Sequence, residues 1–584
     1  MNEVLAEMVE NEVIEICKML KENGKECYLV GGATRDILMG LEPKDWDITT
    51  DATPDEVQKI FKNEKVIPTG IEHGTVTVLK GGEPFEITTF RTEGKYSDGR
   101  HPDYVKFTRS IQEDLQRRDL TINAIALDPL NGRIVTTPND GLSDIRNRVI
   151  RAVGDPAERF REDGLRPLRV CRFASRLAFD IDEATKEAIK ENLDVLDNIS
   201  AERIRDEIMS ILKQSEKPSI GFECLRETGL LDKVLPELVQ AVGVEQTPQH
   251  HNKDVYYHTL AAVDSIPKDQ YMVRLAALFH DVGKPRKKTV VDGRIRFIGH
   301  DEESARMTVE IMERLKFSGD EIKQVHNLVK NHMVNYSGDW TDKAVRKFVN
   351  AVGEESVPDL IRLAKADTLA TKHTEVNDLE SLEDRIRLLR EQTGKAGFTA
   401  RDLAVNGSDV MQYLNIPPSP EVGKIINSLV DKVMEDPSLN TKENLFRMMG
   451  QSRKPRMVLM RGMPGSGKST TAKKEYPGSV NIETDQFFVK GGEYKFDPNL
   501  LPEAHAWCQE QVRKNLTEGK SVVVSNTFVQ LWEMQPYLEM AKSAGAEVEV
   551  VKCTGNHENA HHIPEATLER MKMKWENFPG EKIK

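Results

Sequence analysis

The sequence predicts a multidomain protein: an α/β unit, then a long and almost wholly helical middle, then a second α/β unit built on a parallel sheet. Three observations support this. The chain has 584 residues, several times the ~100–200 typical of one domain. Short β-rich runs set between glycine and proline turns fill residues 26–140, and strand-like runs alternate with helical ones from 456 onward. Between these regions, apolar residues recur at helical spacing in stretches such as "SAERIRDEIMSILK" and "AVRKFVNAVG".

Composition narrows the class. With 38% hydrophobic and 30% charged residues the chain falls among ordinary globular proteins, and no apolar run approaches the ~18–20 residues that cross a bilayer. The acidic N-terminus lacks a basic region before its apolar residues, so no membrane association and a cytoplasmic location are expected. Six cysteines, at 17, 27, 171, 224, 508 and 553, form no C-x-x-C pair and are expected to be reduced. A net charge of −13 disfavours a protein that coats nucleic acid, yet between Arg146 and Arg176 nine arginines meet four carboxylates. Arg166, Arg169, Arg172 and Arg176 recur there at helical spacing, which suits a solvated face and a phosphate-contacting one equally.

In the first α/β unit, "YLVGGATRDILMGLEPKDWDITT" runs from a strand through Gly31 and Gly32 into a short helix and on to a strand with Asp45 and Asp47. Residues two apart on a strand share a face, so both carboxylates could hold a pair of Mg2+ ions for in-line phosphoryl chemistry. The glycines permit close backbone approach to phosphates. Glu86, in "FEITTFR", could supply a third carboxylate from a neighbouring strand.

Together with "RRDLTINAIALD", "DGLSDIRNRVIRAVGDP", "EDGLRPLR" and "ISAERIRDEI", this stretch resembles the class II CCA-adding tRNA nucleotidyltransferases, relatives of the bacterial poly(A) polymerases, over roughly 26–450. The resemblance implies a polymerase-β-like nucleotidyltransferase head (1–150) and an all-α neck and body, of which 151–240 would read the base and bind tRNA. It also implies CTP and ATP as substrates. Arg35, Arg118, Asp119 and Asn123 would lie at the nucleotide, with Asp163 and Arg166 reading the base. Thr34 departs from the family, which usually has an apolar residue there.

The reading role also follows from chemistry. Asp163 and Arg166, three apart and expected on one helix face, offer an acceptor beside a fork of donors. Cytosine and adenine present the complementary donor–acceptor order; guanine and uracil present the reverse. An intrahelical salt bridge is the plain alternative.

Eight of the fourteen histidines lie between 250 and 373. "HHNKDVYYHTL", "LAALFHDVGKPR", "FIGHDEESA" and "KADTLAT" place His258, His280, Asp281, His300 and Asp367 on or beside successive expected helices. The pattern resembles the HD phosphohydrolase superfamily, which implies an HD domain and helical tail over 241–452 with one or two divalent metals. Imidazole plus carboxylate suits Mn2+, Ni2+, iron or zinc, whereas Mg2+ would want more oxygen ligands. Such a site would hydrolyse a phosphomonoester or a 2′,3′-cyclic phosphate, with Lys284 touching the phosphate. His326 and His332 are as consistent with surface helix positions as with extra ligands, and His250 and His251 receive no role.

"RMVLMRGMPGSGKST" fits G-x-x-x-x-G-K-[ST] between a strand and a helix. The loop Gly462, Gly465, Ser466, Gly467, Lys468, Ser469 and Thr470 would cradle phosphates, with Lys468 neutralising charge and Ser469 reaching Mg2+. Asp485, after a second strand, could accept a proton from an attacking hydroxyl. Residues 456–577 resemble polynucleotide 5′-kinase-like P-loop kinases, which implies a C-terminal α/β P-loop kinase with a parallel sheet over 453–584. Phe528 departs from the asparagine often found there, and no arginine occurs in "NHENAHHIP"; Arg570 or Arg461 could supply that charge.

The three sites together suggest a tRNA repair enzyme that restores CCA, removes a 2′,3′-cyclic phosphate and phosphorylates a 5′-OH, with a separate RNA ligase sealing the ends. The alternatives are a poly(A) polymerase-like transferase with regulatory added domains, and an RNA-sensing protein without turnover at those two sites.

Overall fold

The computed structural model describes residues 8–68, 70–94, 104–247, 253–371, 375–414, 416–451, 455–491, 493–555 and 564–584. Its internal contacts divide the chain into one unit comprising Met1–Thr341 and Ala351–Leu389 and another comprising Asp342–Asn350 and Arg390–Lys584. The division falls within the 241–452 domain expected from sequence. His250 and His251 lie outside the described residues, as does most of "NHENAHHIP".

The first unit opens with helix α1 (Asn11–Glu22), whose Val13, Ile16, Cys17 and Leu20 are buried at helical spacing. It packs on β1 (Cys27–Val30), which leads straight into α2 (Gly31–Leu38). Cys17 and Cys27 face each other across α1 and β1, with Cα atoms 5.5 Å apart, a proximity the sequence did not announce. The other four cysteines are free.

Strands β2 (Asp47–Thr50), β3 (Lys65–Ile67), β4 (Thr75–Lys80), β5 (Glu83–Thr89), β6 (Ile125–Leu127) and β7 (Ile134–Thr136) complete a seven-stranded sheet in the order β3-β4-β5-β2-β1-β6-β7. In β5, Phe85, Ile87 and Thr89 are buried while Glu86 is exposed, the two-residue alternation of a half-buried strand. β2 runs parallel to β5 with Asp47 beside Glu86, and antiparallel to β1 with Asp47 opposite Val30.

The neck begins with α3 (Pro156–Glu162), capped by Asp155. Asp163 is extended, and α4 (Arg166–Leu177) starts anew with Pro167 in its first turn. Asp163 and Arg166 therefore do not share a helix, contrary to the sequence expectation. Gly164 packs in the break so closely that a Cβ there would lie 2.2 Å from the carbonyl oxygen of Val195. α5 (Ala201–Gln214) packs on α4.

Five helices carry the histidine-rich segment: α6 (Val255–Ser265), α7 (Tyr271–Phe279), α8 (His300–Arg314), α9 (Gly319–Lys330) and α10 (Val357–Ala370). A hairpin of β8 (Thr289–Val291) and β9 (Arg294–Arg296) projects between α7 and α8 in sequence.

In the second unit, helices Gly407–Leu414, Pro420–Glu435 and Lys442–Gln451 share a core that includes Val410, Leu429, Val433 and Leu445. The P-loop region forms a five-stranded, wholly parallel sheet from β10 (Arg456–Arg461), β11 (Val480–Ile482), β12 (Val522–Ser525), β13 (Glu547–Lys552) and β14 (Lys582–Ile583). Its order is β11-β12-β10-β13-β14. Met457 and Leu459 of β10 face one buried layer and Val458 and Met460 the other, as a parallel sheet covered on both faces requires.

Candidate functional site

In the head, Gly31 has φ +70°, and a Cβ there would fall 2.6 Å from Oδ2 of Asp47 and 3.8 Å from Nη1 of Arg118. The bare backbone is what lets strand β1, the carboxylate and the guanidinium converge. Asp47 and Glu86 stand side by side, both exposed. Asp45 precedes β2, which starts at Asp47, so strand alternation does not fix its direction as the sequence suggested. Crowding by the surrounding chain raises the pKa of Asp47; Arg118 opposes this and Asp45 adds to it. Arg118 donates from Nη2 to Asp114 at 3.3 Å, while its buried Nε has no partner. Carboxylates open to solvent beside an unused buried donor suit a magnesium–triphosphate group.

Arg35, expected at the nucleotide, is instead 2% exposed. It donates to Asp36 at 2.9 and 2.7 Å and to Oδ1 of Asn123 at 2.7 Å, so it positions Asn123 instead of lying open to a ligand.

The arginines of α4 are all engaged within the protein. Arg166 pairs with Glu162 at 2.6 Å, Arg169 with Asp119 at 2.6 Å, Arg172 with Glu207 at 2.9 Å and Arg176 with Asp36 at 3.4 Å. The ladder joins α4 to α2, to the Asp119 segment and to α5, so this face is a structural seam more than a free phosphate surface. Burial would raise the pKa of Asp119, but Arg169 and Arg166 outweigh it and hold the carboxyl well below the usual range.

The base-reading candidates are held apart. Nη2 of Arg203 donates to both oxygens of Asp163, at 3.1 and 3.0 Å. Arg166 also donates to the carbonyls of Arg159 and Arg117 at 3.1 and 3.3 Å. Arg203 lies in "ISAERIRDEI", but nothing in the spacing announced its partner.

The histidine–aspartate residues do converge. His258, His280 and Asp367 form one group of potential ligands, and Asp281, His300 and His332 a second. His332 is thus a member of the set, 2% exposed, whereas His326, on α9, belongs to neither group. Nδ1 of His280, His300 and His332 each lies 2.7–2.8 Å from the backbone carbonyl three residues earlier. Donation from Nδ1 leaves Nε2 as a bare acceptor. These three Nε2 atoms are buried without hydrogen-bond partners, beside the buried carboxylate of Asp281. Such buried acceptors around one spot fit one or two divalent ions, which His258, His280 and Asp367 and the group Asp281, His300 and His332 would hold. Electrostatics agree: burial would lower the pKa of His280, but Asp281 and Asp367 push it up to about 10. That marks a demand for positive charge which a divalent ion meets. Nζ of Lys284 reaches Asp281 at 2.6 Å. A cavity of about 330 Å³ opens at the cluster, lined by His332, Asp367, Asn335, Tyr336, Thr368 and Asp378 among others.

In the second unit the loop after β10 lies at the carboxyl end of the sheet, where neighbouring strands diverge to either side. A Cβ at Gly462 would lie 2.4 Å from Oγ of Ser466 and 2.6 Å from the carbonyl of Cys553. α11 (Lys468–Glu475) begins at the end of the loop after Gly465 and Gly467, both in the left-handed region. Lys468 donates to the carbonyls of Gly462 and Met463 at 2.8 and 3.1 Å, and burial lowers its pKa. Asp485 follows β11 on a short helical turn and is hydrogen-bonded to Tyr494.

Arg461 does not supply the missing charge: fully buried, it donates to the carbonyls of Phe528 and Glu576, pairs with Glu581 at 2.9 Å and lies over Trp575. Arg570 is exposed on the helix Glu565–Met573. Phe528 itself adopts φ +44°, a backbone that asparagine tolerates better, and Arg461 holds its carbonyl with two bonds.

Fold and head geometry define a polymerase-β-like nucleotidyltransferase head on a helical body, joined to a P-loop domain. Family models agree: residues 27–151 match the poly A polymerase head domain and 178–241 the "Probable RNA and SrmB- binding site of polymerase A". Residues 297–449 match a tRNA nucleotidyltransferase domain 2, and 457–563 an AAA domain. The chain is 33% identical over 439 residues to a CCA-adding enzyme of Pediococcus pentosaceus, covering 75% of this chain and 97% of that protein. It belongs to the CCA-adding enzyme family. A CCA-adding enzyme of Lactobacillus helveticus is 52% identical over 200 residues, 34% of this chain; there the match spans about half (49%) of the relative's length. The structure of the Bacillus stearothermophilus CCA-adding enzyme in complex with CTP superposes with a TM-score of 0.56 at 27% identity, covering 75% of this chain and 96% of that one.

Proposed function

We propose that this protein adds CCA to tRNA 3′ ends from CTP and ATP, and that the histidine–aspartate cluster and the P-loop act on other RNA ends. The observation that carries the first part is the convergence of Gly31, Asp47, Glu86 and Arg118 in a member of the CCA-adding enzyme family. Mg2+ held by Asp47 and Glu86, with Asp45 beside them, would activate the tRNA 3′-hydroxyl and neutralise the triphosphate. Arg118 donates to the phosphates, and Asn123, steadied by Arg35, faces the ribose. Asp163 would accept from the exocyclic amine of C or A, and Arg166 would donate to the ring nitrogen on turning from Glu162 and the carbonyls that hold it. Incubation with tRNA lacking CCA tests this: growth that needs CTP and stops after A supports it, and a long A tail supports a poly(A) polymerase instead.

The second part rests on the buried, partnerless Nε2 atoms gathered around Asp281, which support the reading of the cluster as an HD-type phosphohydrolase site. Divalent ions such as Mn2+ or Ni2+ there would polarise the phosphate and lower the pKa of water. With a 2′,3′-cyclic phosphate, one water adds to phosphorus, one ring P–O bond breaks and the released ribose oxygen takes the proton; a second water then breaks the remaining ribose O–P bond, leaving a 2′,3′-diol and inorganic phosphate. Lys284 neutralises the departing charge. At the P-loop, Lys468 would turn from its loop carbonyls to the ATP phosphates and Ser469 would hold Mg2+, while Asp485 takes the proton of an RNA 5′-OH.

A further inference from the structure

The hairpin β8–β9 and the helical turn that leads into it (Lys284–Lys287) carry Arg286, Lys287, Lys288, Arg294 and Arg296, of which Arg286 pairs with Glu303, against the single hairpin carboxylate Asp292, in a chain whose net charge is −13. Lys287, Lys288, Arg294 and Arg296 make no ion pair among the described residues, and all but half-buried Lys287 are exposed. This is the reverse of α4, where each arginine is spent on an acid of its own protein. Unspent cations cost nothing in water but hold a standing attraction for polyanions.

The hairpin is also rigidly placed. Its turn is Asp292-Gly293 with φ +52° and +70°, the two-residue geometry that closes a tight hairpin, and Thr247 fastens it by donating to the carbonyl of Ile295 at 3.0 Å. It leaves the metal cluster at Lys284 and returns at His300, residues that both face Asp281. Phe297, at its base, lies under Nζ of Lys284. Val290, Val291 and Ile298 stand exposed among the charges at 65%, 42% and 76%. Exposed apolar side chains of this kind can pack against the face of a base and offer nothing to free phosphate.

We propose that the β8–β9 hairpin is a platform for single-stranded RNA that delivers a phosphate-bearing end to the histidine–aspartate cluster. This rests on the hydrolytic reading of that cluster and adds that its substrate is a polynucleotide end in preference to a free nucleotide. Lys288, Arg294 and Arg296 contact backbone phosphates upstream of the reacting end.

The test uses the full chain with Mn2+ and two substrates, a 12-nucleotide RNA ending in 2′,3′-cyclic phosphate and 2′,3′-cyclic AMP. For the triple variant Lys288→Glu, Arg294→Glu, Arg296→Glu, the ratio of kcat/KM for RNA over mononucleotide is expected to fall about tenfold or more. The salt dependence for RNA is expected to lose a log–log slope of about 2, three single-strand phosphate contacts at ~0.7 each. An unchanged ratio overturns the platform. A second readout needs no metal: with Val290→p-benzoylphenylalanine in EDTA, irradiation is expected to crosslink the RNA, and absence of a crosslink overturns the proposal. If the unmodified protein hydrolyses neither substrate yet the crosslink forms, the hydrolytic reading fails and the RNA platform stands.

Discussion

Arg203 holds Asp163 across 40 residues of sequence, Nη2 donating to both carboxylate oxygens at 3.1 and 3.0 Å. A carboxylate has about four lone-pair directions, so the clamp leaves acceptor capacity for a base while fixing where it points. Arg203→Ala is expected to free Asp163 and lower discrimination of CTP over UTP about tenfold, roughly 1.4 kcal/mol, at little cost in folding. Single-nucleotide incorporation with each NTP measures this. Unchanged discrimination would mean that Asp163 needs no clamp.

Removing carboxylate charge in the head should stop nucleotidyl transfer. Asp47→Asn and Glu86→Gln are each expected to reduce CCA addition about 10³-fold or more, given the several kcal/mol a divalent ion supplies. The same variants should leave ATP-dependent phosphorylation of RNA 5′-OH ends unaltered, since the proposed function assigns that chemistry to Lys468 and Asp485. Parallel assays of both activities on one preparation separate them.

The Asp119–Arg169 pair predicts a specific acid sensitivity. The folded-state pKa of Asp119 lies below its unfolded value of ~3.9. Its contribution is therefore fully present above that value and is lost as pH falls through the folded one. Asp119→Asn is expected to destabilise the first unit by about 2 kcal/mol at pH 7, the worth of a charged hydrogen-bonded pair, and by progressively less below pH 4. Urea melts at both pH values report the difference; a pH-independent loss would assign the effect to packing.

At the histidine cluster, His332→Ala should lower bound Mn2+ from two equivalents towards one and abolish cyclic phosphate hydrolysis, whereas His326→Ala should change neither. Metal analysis after gel filtration distinguishes them. Two equivalents retained in His332→Ala would remove it from the ligand set.

Much of this was legible in the sequence because it depends on local geometry. Gly31-Gly32, the loop from Gly462 to Ser469 and the alternation around Glu86 each bind chemistry to a strand-to-helix or strand-to-strand step. What escaped is what the tertiary structure decides. At the helix break beside Asp163, Gly164 lies against Val195, and the four α4 arginines found acids on four other segments. His326 and His332 have similar sequence surroundings, but His326 lies on α9 while His332, just past its end, comes within 3.8 Å of Asp281. Arg461, at the end of a strand beside the phosphate loop, looked available until its carbonyl partners appeared.

The most direct measurement supplies the full chain with a tRNA cleaved in its anticodon loop and lacking CCA, bearing 2′,3′-cyclic phosphate and 5′-OH ends, with CTP, γ-labelled ATP, Mg2+ and Mn2+. Mass analysis of the two fragments then reads all three sites. The expected result is a 5′ fragment ending in a free diol, and a 3′ fragment that gains one labelled phosphate and CCA. Fragments that leave with their original ends, even with CCA added, would contradict an enzyme built to repair RNA at three sites.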